Sequence, residues 1–81
     1  MAERGIKKIH DLGMAAMLIN YGYQLQGTSR DGDGRVHFMF INSDYLTKRL
    51  SEYRANTITV RARSYHDNMK MLKGLIYATE E

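Results

Sequence analysis

The strongest chemical signal in the sequence is a cluster of cations between residues 45 and 63. This segment holds five basic side chains against a single acidic one, Glu52, and two tyrosines lie among them. Arginine and lysine neutralise phosphates, and tyrosine stacks on bases, so the composition predicts a face that binds polyanions. The candidate residues are Lys48, Arg49, Arg54, Arg61, Arg63, Tyr45 and Tyr53.

The same pattern also fits a solvated helix face followed by the polar side of an edge strand, where cations block aggregation. No RNP aromatic motif, zinc finger or helix-turn-helix with a short turn accompanies the cations. Nucleic-acid binding is therefore one hypothesis, and plain solvated surface is the other.

Two further patterns resemble metal sites, and we expect a structural role for both. Residues 31–34 read Asp-Gly-Asp-Gly, but a calcium loop of the EF-hand type needs Glu at its twelfth position, where this chain has Asn42. His10, His37 and His66 have no His, Cys or carboxylate three or four residues on that would complete a metal pair. We predict a hairpin turn at residues 31–34 and no metal or cofactor.

The sequence also argues against catalysis. It contains no nucleophile elbow, no phosphate-binding glycine loop and no paired carboxylates on one element. A chain of 81 residues has little room for a pocket that excludes water. We expect a protein that acts by binding and is not an enzyme.

Length and composition indicate one small domain in the cytoplasm. The 81 residues include no cysteine, which is consistent with a reducing compartment, and the first residues lack the apolar run of a signal peptide. The longest uncharged stretch, residues 12–29, contains three glycines and several amides, so we expect no membrane span. The net charge of +3 is mild and bears on solubility more than on fold.

The elements that would position these residues are organised around a β-hairpin over residues 23–42. Apolar and polar residues alternate on both sides of two Asp-Gly pairs, a dipeptide that suits tight turns. The second strand is apolar on both faces, so both faces need cover. One face carries Val36, Phe38 and Phe40, and the other carries His37, Met39 and Ile41.

Three helices are predicted around the hairpin. The first begins after Asp11, a suitable N-cap, ends at Gly22 and is apolar nearly all round. The second covers about residues 44–55, and the third begins after Ser64 as its N-cap. Between them, the β-branched residues 57–60, Thr-Ile-Thr-Val, predict a short third strand.

The predicted fold is therefore α+β in the order α-β-β-α-β-α, a hairpin plus a third strand packed with three helices. We expect one domain over residues 9–78, with flexible tails at residues 1–8 and 79–81. The expected core residues are Phe38, Phe40, Leu46, Leu50, Met69, Leu72 and Ile76.

Surplus apolar surface is the second functional signal. The first helix and the second hairpin strand both lack a polar face, and in so short a chain such segments serve as core and as interface. We predict a dimer or a higher homo-oligomer. The candidate self-association residues are Met14, Met17, Leu18, Tyr21, His37, Met39 and Ile41.

Three stretches follow a family pattern. Residues 10–23 read HDLGMAAMLINYGY, residues 30–40 combine an Arg-Asp-Gly turn with the strand VHFMF, and residues 60–65 and 72–77 read VRARSY and LKGLIY. Over about residues 9–77 the chain resembles DUF5659, a small bacterial and phage family catalogued as a domain of unknown function. Tyr23 and Tyr65 stand where Phe is commoner. The resemblance implies no catalytic or binding residue; it implies a small accessory protein of a phage or mobile element, acting in the host cytoplasm.

Two hypotheses about function follow. One is a protein-interaction module that self-associates and docks on a host or phage protein complex. The alternative is a protein that binds DNA or RNA through a basic face on the second helix and third strand.

Overall fold

The fold is built on an antiparallel sheet whose central strand is the last of three along the chain. The computed structural model describes residues 5–79, in which β1 spans Ile6–Ile9, β2 spans Gly27–Arg30 and β3 spans Val36–Ile41. β3 pairs with β1 on one side and with β2 on the other, so the sheet order is β1-β3-β2. β2 and β3 form the predicted hairpin, and its turn closes where the Gly34 N–H donates to the Asp31 carbonyl at 2.9 Å.

Three helices complete the α+β fold within the described residues. They are α1 at Leu12–Asn20, α2 at Asp44–Arg54 and α3 at Ala62–Thr79. The fold class, a small α+β domain with three helices and a three-stranded sheet, is confirmed.

Both ends of α1 lie at the predicted residues, Asp11 and Gly22, and α2 has equivalent residues at its ends. The Asp11 carboxylate caps α1 and the Ser43 hydroxyl caps α2, each accepting a hydrogen bond from the backbone N–H three residues on, at 2.9 and 3.1 Å. Beyond the other ends of these helices, Gly22 has a φ of 94° and Asn56 a φ of 61°. Both residues thus adopt the left-handed conformation that stops a helix.

The predicted order of the elements is wrong, because the third strand lies at the other end of the chain. The order is β-α-β-β-α-α. Residues 6–8, expected in a flexible tail, belong to β1, which pairs with β3 from Ile6 opposite Ile41 to Ile9 opposite Phe38. Residues 57–60 join no ladder. Their β-branched side chains favour an extended backbone, but both edges of β3 are already occupied by β1 and β2.

Smaller differences concern where elements begin and end. β2 begins at Gly27 and not at Tyr23, although the Gln26 N–H still donates to the Met39 carbonyl at 2.7 Å. Ser64 does not cap α3, because this helix begins at Ala62 and Ser64 lies in its first turn. The helix continues through residue 79, the first residue of the expected C-terminal tail. The rest of both expected tails, residues 1–4 and 80–81, lies outside the described residues.

The helices cover one face of the sheet. Because side chains alternate along a strand, Val36, Phe38 and Phe40 share a face of β3, and Ile9 of β1 joins them opposite Phe38. All four are buried and belong to one cluster with residues of all three helices. Five successive residues of α1, from 14 to 18, are buried in it, as expected for a helix that is apolar nearly all round.

The predicted core is largely confirmed. Of its seven residues, Met69 and Ile76 are only partly buried and pack at the margin of the cluster. The buried ones are Phe38, Phe40, Leu46, Leu50 and Leu72.

Gly13, in the first turn of α1, allows a close approach of two tyrosines. A Cβ at this position would lie 2.6 Å from the Tyr53 hydroxyl and 2.7 Å from the Tyr65 hydroxyl. The Tyr65 hydroxyl donates to the Gly13 carbonyl at 3.1 Å. The missing side chain therefore leaves room for the hydroxyls of Tyr53 on α2 and Tyr65 on α3 at the start of α1.

We expect Gly13→Ala to lower the free energy of unfolding by about 1–3 kcal/mol, because the added methyl group overlaps two hydroxyls. Gly74→Ala is the matched control in α3. Nothing lies within 4 Å of a Cβ at Gly74, and alanine favours a helix over glycine by about 0.5–1 kcal/mol. Urea denaturation followed by circular dichroism measures both variants. A Gly13→Ala protein as stable as Gly74→Ala would contradict the close contact.

Candidate functional site

The structure separates the seven predicted polyanion-binding residues, and Arg49 is already engaged within the chain. Its Nη1 lies 2.7 Å from Glu52 Oε1, and its guanidinium carbon lies 5.0 Å from the centroid of the Tyr21 ring. The hydrogen bond with Glu52 raises the pKa of Arg49 above its usual value. Arg49 therefore joins α2 to the C-terminal end of α1. Because Glu52 offsets its charge, Arg49 attracts a polyanion less strongly than an unpaired arginine would.

Tyr53 is also engaged within the chain, partly buried against the core. Burial raises the pKa of Tyr53 to about 12, and a hydrogen bond with Tyr65 contributes to the same shift. Its hydroxyl faces Gly13, so the ring is not presented to a base. Tyr45, in contrast, is 77 % exposed in the first turn of α2 and is free to stack on a ligand.

The remaining cations do not form the single face that the sequence predicted. Arg54 borders a cavity of about 220 Å³ together with Lys7, Lys8 and His10, around the end of β1. Arg61 borders a different cavity. Since residues 57–60 are not a sheet strand, the predicted basic face on the second helix and a third strand is not formed.

Two cations of the predicted set, Lys48 and Arg63, stand apart from both cavities. Both are exposed on their helices and have no ion pair within residues 5–79.

The cationic cavity around β1 was missed because Lys7 and Lys8 were placed in a tail. The sequence signal for it is the pair of adjacent lysines between two isoleucines, which suits a short edge strand.

The uncovered face of the sheet is the second candidate surface. We call it the open face. Its residues follow from the strand register, because cross-strand partners point to the same side. Ile6 and Ile41 are such partners and are 49 % and 42 % exposed. The open face consists of Ile6, Lys8, Gly27, Ser29, His37, Met39 and Ile41.

The predicted self-association residues divide between the core and the open face. Met14, Met17 and Leu18 are buried inside the single chain, so their assignment to an interface between copies is wrong. They were assigned to an interface because α1 has no polar face, whereas α1 uses its apolar sides for contacts with both other helices and β1.

The other four predicted self-association residues remain accessible in part. Tyr21 lies away from the sheet, where its hydroxyl donates to the Thr59 carbonyl. His37, Met39 and Ile41 lie together on the open face, as the alternation of the strand predicted. Ile6 joins them there, and sequence reasoning missed it because β1 was taken for a tail.

At the polar end of the open face two histidine rings are in contact, and one of them pairs with a carboxylate. His37 Nε2 lies 2.5 Å from Asp31 Oδ2, and the His10 and His37 rings meet edge to face at 5.7 Å between centroids. The hydrogen bond from His37 lowers the pKa of Asp31 below its usual value. This contribution to stability is present at neutral pH and is lost as the pH falls through the lowered pKa. Within the described residues, no group of three or more His, Cys, Asp or Glu is arranged to hold a metal ion.

Comparison with known proteins gives a family and no relative of known function. The family described as Domain of unknown function (DUF5659) matches residues 4–78. No curated protein and no solved structure matches the chain. In residues 5–79, none of the helices has the length and apolar character needed to cross a membrane.

Proposed function

The chain belongs to the DUF5659 family, and we propose that it is a non-enzymatic binding module that self-associates through the open face of its sheet. The supporting observation is the exposed isoleucine pair, Ile6 and Ile41, with Met39 beside Ile41 on the same side of β3. A one-sided sheet in solution normally alternates apolar residues inward with polar residues outward. This sheet instead has three large apolar side chains on its outer side.

A second copy of the chain is the partner that suits this face. Two sheets that stack face to face bury such side chains in a layer about 10 Å thick. In a two-fold interface the same patch meets itself, so a surface with one sign of charge would repel its copy. The open face instead has the cation Lys8 near the anion Asp31, which pairs with His37 at the border of this face, and the attraction of Lys8 contributes to the lowered pKa of Asp31.

The family resemblance also implies a biological context for the protein. We propose that the dimer is an accessory protein of a phage or mobile element that docks on a host or phage protein complex in the host cytoplasm. Self-association through the open face would leave the helical side of each copy available for that complex.

We expect the protein to have the mass of two chains, each 9.4 kDa, in light scattering across a dilution series. Ile41→Glu should shift it to the monomer, because a carboxylate between stacked sheets loses its hydration, and we expect dissociation to become at least about tenfold easier. Met71→Glu is the matched control, since Met71 is 44 % exposed on α3, away from the open face. A wild-type protein that stays monomeric at the highest concentration would contradict the proposal.

Binding of nucleic acid is the second candidate function. It is supported by Lys48, Arg61 and Arg63, which are exposed and have no ion pair within the described residues. Tyr45, also exposed, could stack on a base. Arg49 and Tyr53 no longer support it, because their side chains are engaged within the chain.

For this candidate we expect DNA or RNA affinity to fall with salt at a log–log slope of roughly −2 to −3, because three phosphate contacts release condensed counterions. Changing both Arg61 and Arg63 to alanine should flatten the slope by about two units. Arg54→Ala, which removes a cation from a different cavity, should change the slope less. Absence of salt-dependent binding of the parent protein at about 50 mM salt would exclude this function.

A further inference from the structure

The connection between α2 and α3 has the pattern of a strand without a partner strand. Residues 57–61 contain no helix, turn or bend. Ile58 and Val60 are partly buried against the core, whereas Thr57, Thr59 and Arg61 are exposed. This alternation is typical of a β-strand that lies with one side on a hydrophobic core. We call residues 57–61 the connecting segment.

The connecting segment is hydrogen-bonded to its own chain along one side. The Thr57 N–H donates to the Glu52 carbonyl at 3.0 Å, and the Thr59 carbonyl accepts from the Tyr21 hydroxyl. In an extended backbone, the peptide groups of alternate residues point to opposite sides. The groups of Ile58 and Val60 therefore point away from the side used by Thr57 and Thr59. They have no hydrogen-bond partner within residues 5–79, which leaves a strand edge able to accept another chain.

A cavity borders the connecting segment. Its volume is about 530 Å³, and the connecting segment contributes Thr59, Val60 and Arg61 to its lining. Ile19 and Tyr21 at the end of α1 provide further apolar surface. Arg61 is the one charged side chain among the described residues that line it. A ligand side chain that reaches Arg61 would thus meet a cation with no neighbouring carboxylate.

The charge around the connecting segment selects the kind of partner. From residue 53 to residue 66 the chain has three arginines and no acidic residue. A second copy that paired its own connecting segment here would bring these cations together, whereas an acidic chain would be attracted. The cavity beside the segment also has room for a side chain of the incoming strand.

We infer that the connecting segment is a docking edge for an extended peptide of another protein, which adds alongside it as a β-strand. Main-chain hydrogen bonds to Ile58 and Val60 would hold the peptide, and a carboxylate side chain on it would pair with Arg61. An apolar side chain of the opposite row, on the side of Val60, would enter the cavity. This site lies outside the sheet and is independent of the open face, so either surface operates without the other.

The experiment uses the full chain labelled with ¹⁵N and a capped synthetic peptide of alternating valine and glutamate. We expect amide shifts at residues 58–61 on titration, and slower hydrogen exchange at the Ile58 and Val60 amides in the complex. A peptide of the same sequence with a fully N-methylated backbone has no N–H donors, and its affinity should fall about tenfold or more. Equal binding of the N-methylated peptide would overturn the strand-addition proposal.

Charge is tested with a matched pair of arginine variants. Arg61→Ala should weaken binding roughly two- to fivefold, because it removes a solvent-exposed ion pair. Arg63→Ala removes the same charge from a residue that does not line the cavity, and it should leave affinity nearly unchanged. An alternating valine and lysine peptide should bind more weakly than the glutamate peptide. Equal losses in both variants, or protection of Ile58 and Val60 that rises with protein concentration alone, would overturn the inference.

Discussion

The structure depends on β3 being hydrogen-bonded on both sides. A strand held by two neighbours keeps its pleat, so its side chains are divided strictly between two faces. Phe38 and Phe40, 1 % and 0 % exposed, enter the core on one face. Met39 and Ile41 are thereby directed to the other face, however apolar they are. The apolar outer surface is thus a consequence of how the core is built.

The same constraint accounts for the arrangement of the helices. The inner face of a three-stranded sheet is small, and α1 contributes five successive buried residues to the core that covers it. The other two helices then pack largely through α1, and Gly13 admits Tyr53 and Tyr65 to its first turn. With all three helices contributing to this one core, the described chain has no helix left to cover the outer face.

Local chemistry made the hairpin turn and the ends of α1 predictable from the sequence. The Asp-Gly turn, the Asp11 cap and the stop at Gly22 each depend on neighbouring residues alone. The third strand was not predictable in this way, because strand pairing joins residues distant in sequence. Ile6 and its neighbours read Ile-Lys-Lys-Ile, which lacks strict alternation, whereas the β-branched residues 57–60 have the better strand composition and no free edge of β3 to join.

In the candidate sites, too, features set by neighbouring residues were predictable, and contacts between residues distant in sequence were not. The part of the open face that lies on β3 followed from alternation along that strand, and the part on β1 did not. A count of cations does not reveal which of them are paired with other groups of the chain. The pairing of Arg49 with Glu52 was foreseeable, because the two residues are three apart on a helix and such pairs commonly form. No local signal indicated that Tyr53 points at Gly13, or that Arg54 lies beside β1.

The central claim, that the open face is covered by a second copy, is tested most directly by the solvent accessibility of individual methyl groups. A soluble paramagnetic probe broadens the NMR signals of accessible methyls, and Met71 is an exposed internal reference. At high protein concentration the account predicts that Met39 and Ile41 are protected while Met71 is broadened, and that the protection of Met39 and Ile41 is lost in Ile6→Glu. Ile41 and Met71 methyls that are broadened equally in the wild-type protein at every concentration would contradict the account.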